Sequence, residues 1–188
     1  MVLDDDGIDT DRGSHRIRQI RFQVATKRKG NVYMLATTEL MGYSILIVDT
    51  SRLLKAWRAN LDTPIQGPLQ VLIDPLVRKF GGPYAAYGRD KWLPYQSRVG
   101  MTRDYKFHHA ENGFSRGLGD PVPLAELGSG RYPGRSVDFS NGVTRTIWLI
   151  ANEASFFPVL VRSNDAENVF ALAGALGTAV LDLNSLCE

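Results

Sequence analysis

Cysteine is almost missing: the 188-residue chain has one, Cys187, beside its last residue. A single thiol closes no disulfide and builds no thiolate metal cluster within the chain, and it suits a reducing compartment. Histidine is scarce as well, with three, of which His108 and His109 adjoin. No apolar run approaches the roughly 20 residues that span a bilayer, so no transmembrane segment is expected. Residues Met1 to Asp6 are acidic and lack the basic-then-apolar order of a signal peptide. A cytoplasmic location follows as an expectation. Charge imbalance is small too: 22 basic against 20 acidic residues leave a net +2. A dedicated duplex-binding domain usually carries a larger basic excess. Repeats, low-complexity tracts and clear linkers are absent.

What is present is material for a core. At 44% hydrophobic and this length, a single α+β domain over residues 15–188 is expected, after a polar tail at 1–14 expected to be disordered. Apolar residues alternate from Ile20 to Val24, which predicts a strand, and Val32 to Ala36 reads as its hairpin partner across the basic turn Lys27-Arg28-Lys29-Gly30-Asn31. That turn either touches a phosphate backbone or is simply solvated. Ser44 to Val48 reads as a buried strand. Asp49, Thr50 or Ser51 can cap a following helix whose inward face holds Leu53, Leu54, Trp57 and Leu61. From Pro64 to Gly100 the chain is rich in proline, glycine and tyrosine, and Tyr84, Tyr87, Trp92 and Tyr95 either pack a loop-rich region or stack on bases. Near the end, Phe156 to Val161 predicts a strand, and Asn164 with Glu167 three residues on reads as a capping box. Val169, Phe170, Ala173 and Leu176 would face inward from that helix, and Ala179 to Leu183 would add a last strand.

The stretch from Asp138 to Ile150 carries the chemistry. It ends a strand, turns at Asn141-Gly142 and continues with a helical apolar pattern at Ile147, Leu149 and Ile150. A glycine turn into a helix leaves backbone N–H groups and the positive end of the helix dipole facing outward, which favours an anion such as phosphate. Gly142 would allow close approach of a ligand, Thr144 a hydroxyl, and Arg145 a two-pronged guanidinium. The same residues also describe an ordinary Asn-Gly turn with a solvated or salt-bridged arginine. His108-His109-Ala110-Glu111 has no partner at metal-ligand spacing, so no structural metal is expected.

Gly142-Val143-Thr144-Arg145 resembles the G-x-x-R core of the ParB/sulfiredoxin superfamily. The wider wording is closer to a narrower family. Pro121-Val122-Pro123-Leu124-Ala125-Glu126-Leu127, then Phe139-Ser140-Asn141-Gly142-Val143-Thr144-Arg145-Thr146-Ile147-Trp148-Leu149, then Phe157-Pro158-Val159, resembles the fertility-inhibition factors of conjugative plasmids, the Osa and FiwA type. The resemblance runs from near Tyr105 to near Gly174. It implies a ParB/sulfiredoxin-like core over 105–188 with N-terminal strand and helix additions over 15–104.

The resemblance also implies a function: plasmid fertility inhibition or oncogenic suppression. This would block conjugative or T-DNA transfer through a type IV secretion system, by an ATP-hydrolysing DNase. The other reading is a non-catalytic inhibitor bound to the coupling protein or transfer complex, in the cytoplasm or at the inner face of the membrane. On the enzyme reading the catalytic candidates are Arg145, Glu126 and His108. ATP or another nucleotide would sit on Asn141, Gly142, Thr144, Arg145 and Thr146, with Mg²⁺ on Glu111, Glu126 or Asp138. DNA, as the transferring strand or T-DNA, would meet Arg116, Arg131 and Arg135. Val143 stands where sulfiredoxins have their catalytic cysteine and ParB proteins a metal-associated glutamate. Sulfinic acid reduction is therefore not expected.

Overall fold

The computed structural model describes residues 19–37, 42–61, 98–130 and 134–183. The expectations for the tail at 1–14, the aromatic run from Tyr84 to Tyr95, Arg131 and Cys187 lie outside them.

The hairpin forms as expected. β1 (Gln19–Thr26) and β2 (Gly30–Thr37) pair antiparallel, with Phe22 opposite Met34. Alternation decides the buried face: Ile20, Phe22, Val24, Val32, Met34 and Ala36 are all in the core. Gly30 turns the chain with φ +72°. Two cations of the basic tip are tied to the body rather than held out. Arg28 pairs with Glu153, and Lys29 with Glu111 at 2.6 Å. β4 (Val122–Pro123) adds to β2 in parallel, giving a three-stranded sheet in the order β1-β2-β4.

A second sheet holds β3 (Tyr43–Asp49), β5 (Ala125–Ser129), β6 (Val137–Asn141), β7 (Phe156–Arg162) and β8 (Leu181–Asp182), in the order β6-β5-β7-β3-β8. β5 and β7 run parallel, and the other neighbours are antiparallel. β3 and β7 read as unbroken apolar runs because both their faces are covered: Ile45, Leu46 and Val48 are buried, as are Phe157, Val159, Leu160 and Val161. β3 comes from the first half of the chain yet lies between β7 and β8, so the portions 15–104 and 105–188 share one sheet.

The α-helices among the described residues are α1 (Thr50–Leu61), α2 (Arg98–Thr102), α3 (Phe107–Phe114), α4 (Val143–Ala151) and α5 (Ala166–Ala173). Asp49 caps α1: its Oδ1 accepts from the backbone N–H of Ser51 at 2.8 Å and of Arg52 at 2.9 Å. Leu53 and Trp57 are buried, and Trp57 meets Phe139 of β6 edge-on at 4.9 Å. α3 packs on α4 through Phe114 stacked on Trp148, with centroids 4.3 Å apart.

The last helix differs from expectation. Ser163–Asp165 form a 3₁₀ turn, and α5 begins at Ala166 without a side-chain cap. No capping box forms at Asn164. The Asp165 carboxylate is instead taken by the backbone N–H and hydroxyl of Ser129 at the end of β5. Nor does Leu176 face the core. α5 stops at Ala173, the Ala175 N–H bonds the Ile47 carbonyl at 2.8 Å, and Leu176 is left 89% exposed.

The Asp49 cap carries a pH signature. The Ser51 hydroxyl, then the Arg52 N–H, hold its carboxyl below the usual range. Its folded value is the lower one, so its contribution is full above the unfolded value of about 3.9 and is lost as pH falls through the folded value. Asp49→Ala is expected to cost about 1 kcal/mol in urea unfolding at neutral pH, and the gap between variant and wild type should close in acid.

Candidate functional site at the Gly142–Arg145 turn

β6 ends at Asn141, Gly142 takes a left-handed conformation with φ 84° and ψ 17°, and α4 starts at Val143. Two independent demands make this residue glycine. The positive φ disfavours a side chain. A Cβ would also lie 2.7 Å from both Cα and Cβ of Ala125 and 2.6 Å from Arg145 Nε. The close approach at Gly142 is thus made by β5, where the sequence suggested a ligand. The Thr146 N–H closes the first helical bond on the Gly142 carbonyl at 3.1 Å. No side chain among the described residues caps α4, so its first-turn N–H groups keep their anion-binding capacity.

A β-bulge completes the site. Leu127 pairs with Phe139, but Glu126 pairs with Asn141, so Ser140 is the extra residue. Both bulge residues reach one carboxylate: Ser140 Oγ donates to Glu126 Oε2 at 3.2 Å, and Asn141 Nδ2 to Oε1 at 3.5 Å. Arg145 closes the loop, donating from Nη2 to Asn141 Oδ1 at 3.2 Å and from Nη1 to the Pro123 carbonyl at 2.6 Å. Burial pulls its guanidinium below the ordinary arginine value, and the Glu126 carboxylate opposes that shift. It stays a cation at neutral pH, and a guanidinium has five N–H bonds. The two hydrogen bonds to described residues leave donors for an anion. A cavity of about 330 Å³ adjoins, lined in part by Tyr43, Glu126, Asp138, Ser140 and Arg162.

The fold thus brings together Asn141, Gly142, Arg145 and Glu126, and it separates the other candidates. Thr144 is half-buried in the first turn. Thr146 is fully buried with its Oγ1 lacking a hydrogen-bond partner, so it faces the interior rather than a phosphate. Asp138 is exposed and accepts from the Phe139 N–H at 2.8 Å. Glu111 accepts from Trp148 Nε1 and from Lys29 Nζ, each at 2.6 Å. Among the described residues no three of His, Cys, Asp or Glu gather as metal ligands, so Glu111, Glu126 and Asp138 do not form a joint site. His108 is exposed on α3, its ring 4.0 Å from that of His109 and tilted to it. Arg116 is paired with Asp120 at 2.6 Å, and Arg135 is exposed.

Sequence reasoning missed the Pro123 carbonyl, Ser140 and Ala125 as parts of the turn. It also missed the clamp of Glu111, Trp148 and Lys29. Ala125, a small residue inside the segment that carries the family resemblance, was the one available signal; the bulge and the clamp are long-range and have none.

These features define a mixed α+β domain with an arginine held at an uncapped, glycine-opened helix start. The family model described as "Plasmid Fertility inhibition factor" matches residues 89–174. "Protein osa" of Shigella flexneri is 38% identical over 80 residues, which cover 42% of this chain and 41% of that protein. The chain thus aligns with less than half the length of this curated relative. Among solved structures, the crystal structure of an oncogenic suppression activity protein, described as a plasmid fertility inhibition factor, matches with a TM-score of 0.61. The identity is 20%, with 100% of this chain and 84% of that chain covered. That likeness shows the fold. No helix among the described residues is long and apolar enough to cross a membrane.

Two outcomes follow from the geometry. Gly142→Ala should lower stability by at least the roughly 1–2 kcal/mol of left-handed strain, with a further loss from the clash with Ala125, read by urea unfolding. At Glu111, the Lys29 hydrogen bond, with help from Trp148, holds the carboxyl below its usual range against the cost of burial. The contribution is therefore full above the unfolded glutamate value of about 4.3 and is lost as pH falls through the lower folded value. Glu111→Gln should shift Trp148 emission and flatten the acid limb of stability against pH.

Proposed function

We propose that this protein inhibits plasmid fertility, suppressing conjugative or T-DNA transfer through a type IV secretion system, as a nucleotide-hydrolysing DNase of ParB/sulfiredoxin type. The observation that carries the reading is the placement of Arg145 at the uncapped start of α4, beside Glu126, within the segment matched to the fertility inhibition family. A cation with free donors next to unpaired helix N–H groups suits a phosphoryl group. Charge builds on the oxygens of a phosphodiester or phosphoanhydride as it is cleaved, and Arg145 would offset it. Asn141 orients the guanidinium, and Glu126 keeps a counter-charge nearby with its oxygens held by Ser140 and Asn141.

ATP or another nucleotide would place phosphates on the turn from Gly142 to Arg145, with Thr144 as a supporting donor. Mg²⁺ usually takes one or two carboxylates plus phosphate oxygens, and Glu126 is the carboxylate that would serve. The expected setting is the cytoplasm, with transferring DNA and the secretion coupling protein as partners.

A second reading has its own support. Two of the three alternative metal candidates are turned to other partners, Glu111 to Lys29 and Trp148, and Asp138 to its neighbour's N–H. That favours a non-catalytic inhibitor that occupies the coupling protein or transfer complex and keeps the anion site for regulation.

The separating experiment incubates purified protein with plasmid and single-stranded DNA, with and without ATP and Mg²⁺. Cleavage by wild type and its loss in Arg145→Ala, at unchanged melting temperature, is the expected result. Equal cleavage by both would remove Arg145 from the chemistry. Cleavage by neither would favour the binding protein, to be followed by pull-down against the transfer machinery.

A further inference from the structure

We infer that the surface from Arg103 to His109, on α3 and the turn before it, is a docking surface for single-stranded nucleic acid. The inference rests on the reading that DNA is a ligand, but not on hydrolysis at Arg145. The segment is mounted firmly. Met101, Ala110 and Phe114 are buried, and Phe114 stacks on Trp148. Backbone bonds close the turn, from Arg103 N to Gly100 O at 3.1 Å and from Phe107 N to Asp104 O at 2.9 Å. These anchors leave Arg103, Tyr105, Lys106, His108 and His109 all exposed.

The composition of this outward face points to one ligand class. Tyr105 is 77% exposed, an unusual position for a large ring with no described packing partner beyond Lys106, whose Nζ lies 5.2 Å from its centroid. His108 and His109 add two rings 4.0 Å apart, tilted 36° to each other. None of the side chains of Arg103, Lys106, His108 and His109 is in an ion pair with a described residue, in contrast to Arg28, Lys29 and Arg116. The one acidic residue within the stretch, Asp104, directs Oδ1 to the Lys106 N–H at 2.9 Å.

Exposed rings interleaved with cations that pair with no described residue are the elements that bind single strands: bases stack on the rings and phosphates follow the cations. A duplex hides its base faces and would leave Tyr105 unused. An apolar protein partner would need more hydrophobic area than one tyrosine supplies. The DNA contact thus falls here rather than at Arg116, whose charge is taken by Asp120.

The test is fluorescence anisotropy with a labelled oligothymidylate and, separately, a duplex of equal length. Wild type should bind the single strand more tightly. Tyr105→Ala should weaken it about tenfold, and Tyr105→Phe should restore it, because stacking needs the ring and not the hydroxyl. Arg103→Ala and Lys106→Ala should each reduce the slope of log affinity against log salt by about 0.7. Lys55→Ala, an exposed cation on α1, serves as the charge control and should leave the slope unchanged. Circular dichroism confirms folding of each variant.

No binding by wild type, or unchanged binding in Tyr105→Ala and Lys106→Ala, would overturn the inference. DNA cleavage assayed alongside separates the two readings. Cleavage with binding indifferent to Tyr105 removes this surface and leaves the nuclease. Binding dependent on Tyr105 without cleavage keeps the surface and removes the nuclease.

Discussion

The contact between Gly142 and Ala125 sets the geometry of everything around the candidate site. A helix start can press against a neighbouring strand backbone only where both residues are small, and here a single added carbon would meet Ala125 at 2.7 Å. That approach fixes where α4 begins, and so fixes Arg145 one turn along. It also brings the arginine within reach of the Pro123 carbonyl on β4, which belongs to the other sheet. One close contact thus couples β6, α4 and the junction of β4 with β5.

Electrostatics then refine what packing has placed. Arg145 is half-buried, which alone would weaken its charge, and Glu126 compensates. The bulge at Ser140 lets two residues of one strand address a single carboxylate of the next, so Glu126 is held without being neutralised by a direct arginine hydrogen bond. A carboxylate and a guanidinium that feel each other's charge without a direct hydrogen bond keep capacity for a ligand.

On the other flank of α4 the logic is structural. Trp148 is stacked on Phe114, and its indole N–H is bonded to Glu111, which also holds Lys29 of the β1–β2 hairpin. Three separate parts of the chain converge on one side chain. The helix that presents Arg145 is thereby braced against α3, and α3 in turn presents its polar face outward. The hairpin's basic turn, which charge alone would suggest for nucleic acid, has Arg28 and Lys29 spent in this bracing.

Local patterns in the sequence were enough to determine several of the elements, though they gave no expectation for α2 or α3. Alternation marked β1 and β2, unbroken apolar runs marked β3 and β7, and the capping candidates Asp49, Thr50 and Ser51 marked the start of α1, because each depends on residues close in the chain. The glycine turn into α4 was legible for the same reason, and with it Gly142 and Arg145. Tertiary structure alone decided what those residues touch. It placed β3 inside the sheet, spent Asp165 on Ser129 instead of a helix cap, buried Thr146, and left Leu176 in solvent. It also divided the acidic candidates, keeping Glu126 beside Arg145 and sending Glu111 to a tryptophan. The reason is physical: a strand or a cap is specified by neighbours a few residues away. A carboxylate's partner is chosen by whichever unsatisfied donor the packed chain brings within hydrogen-bond distance.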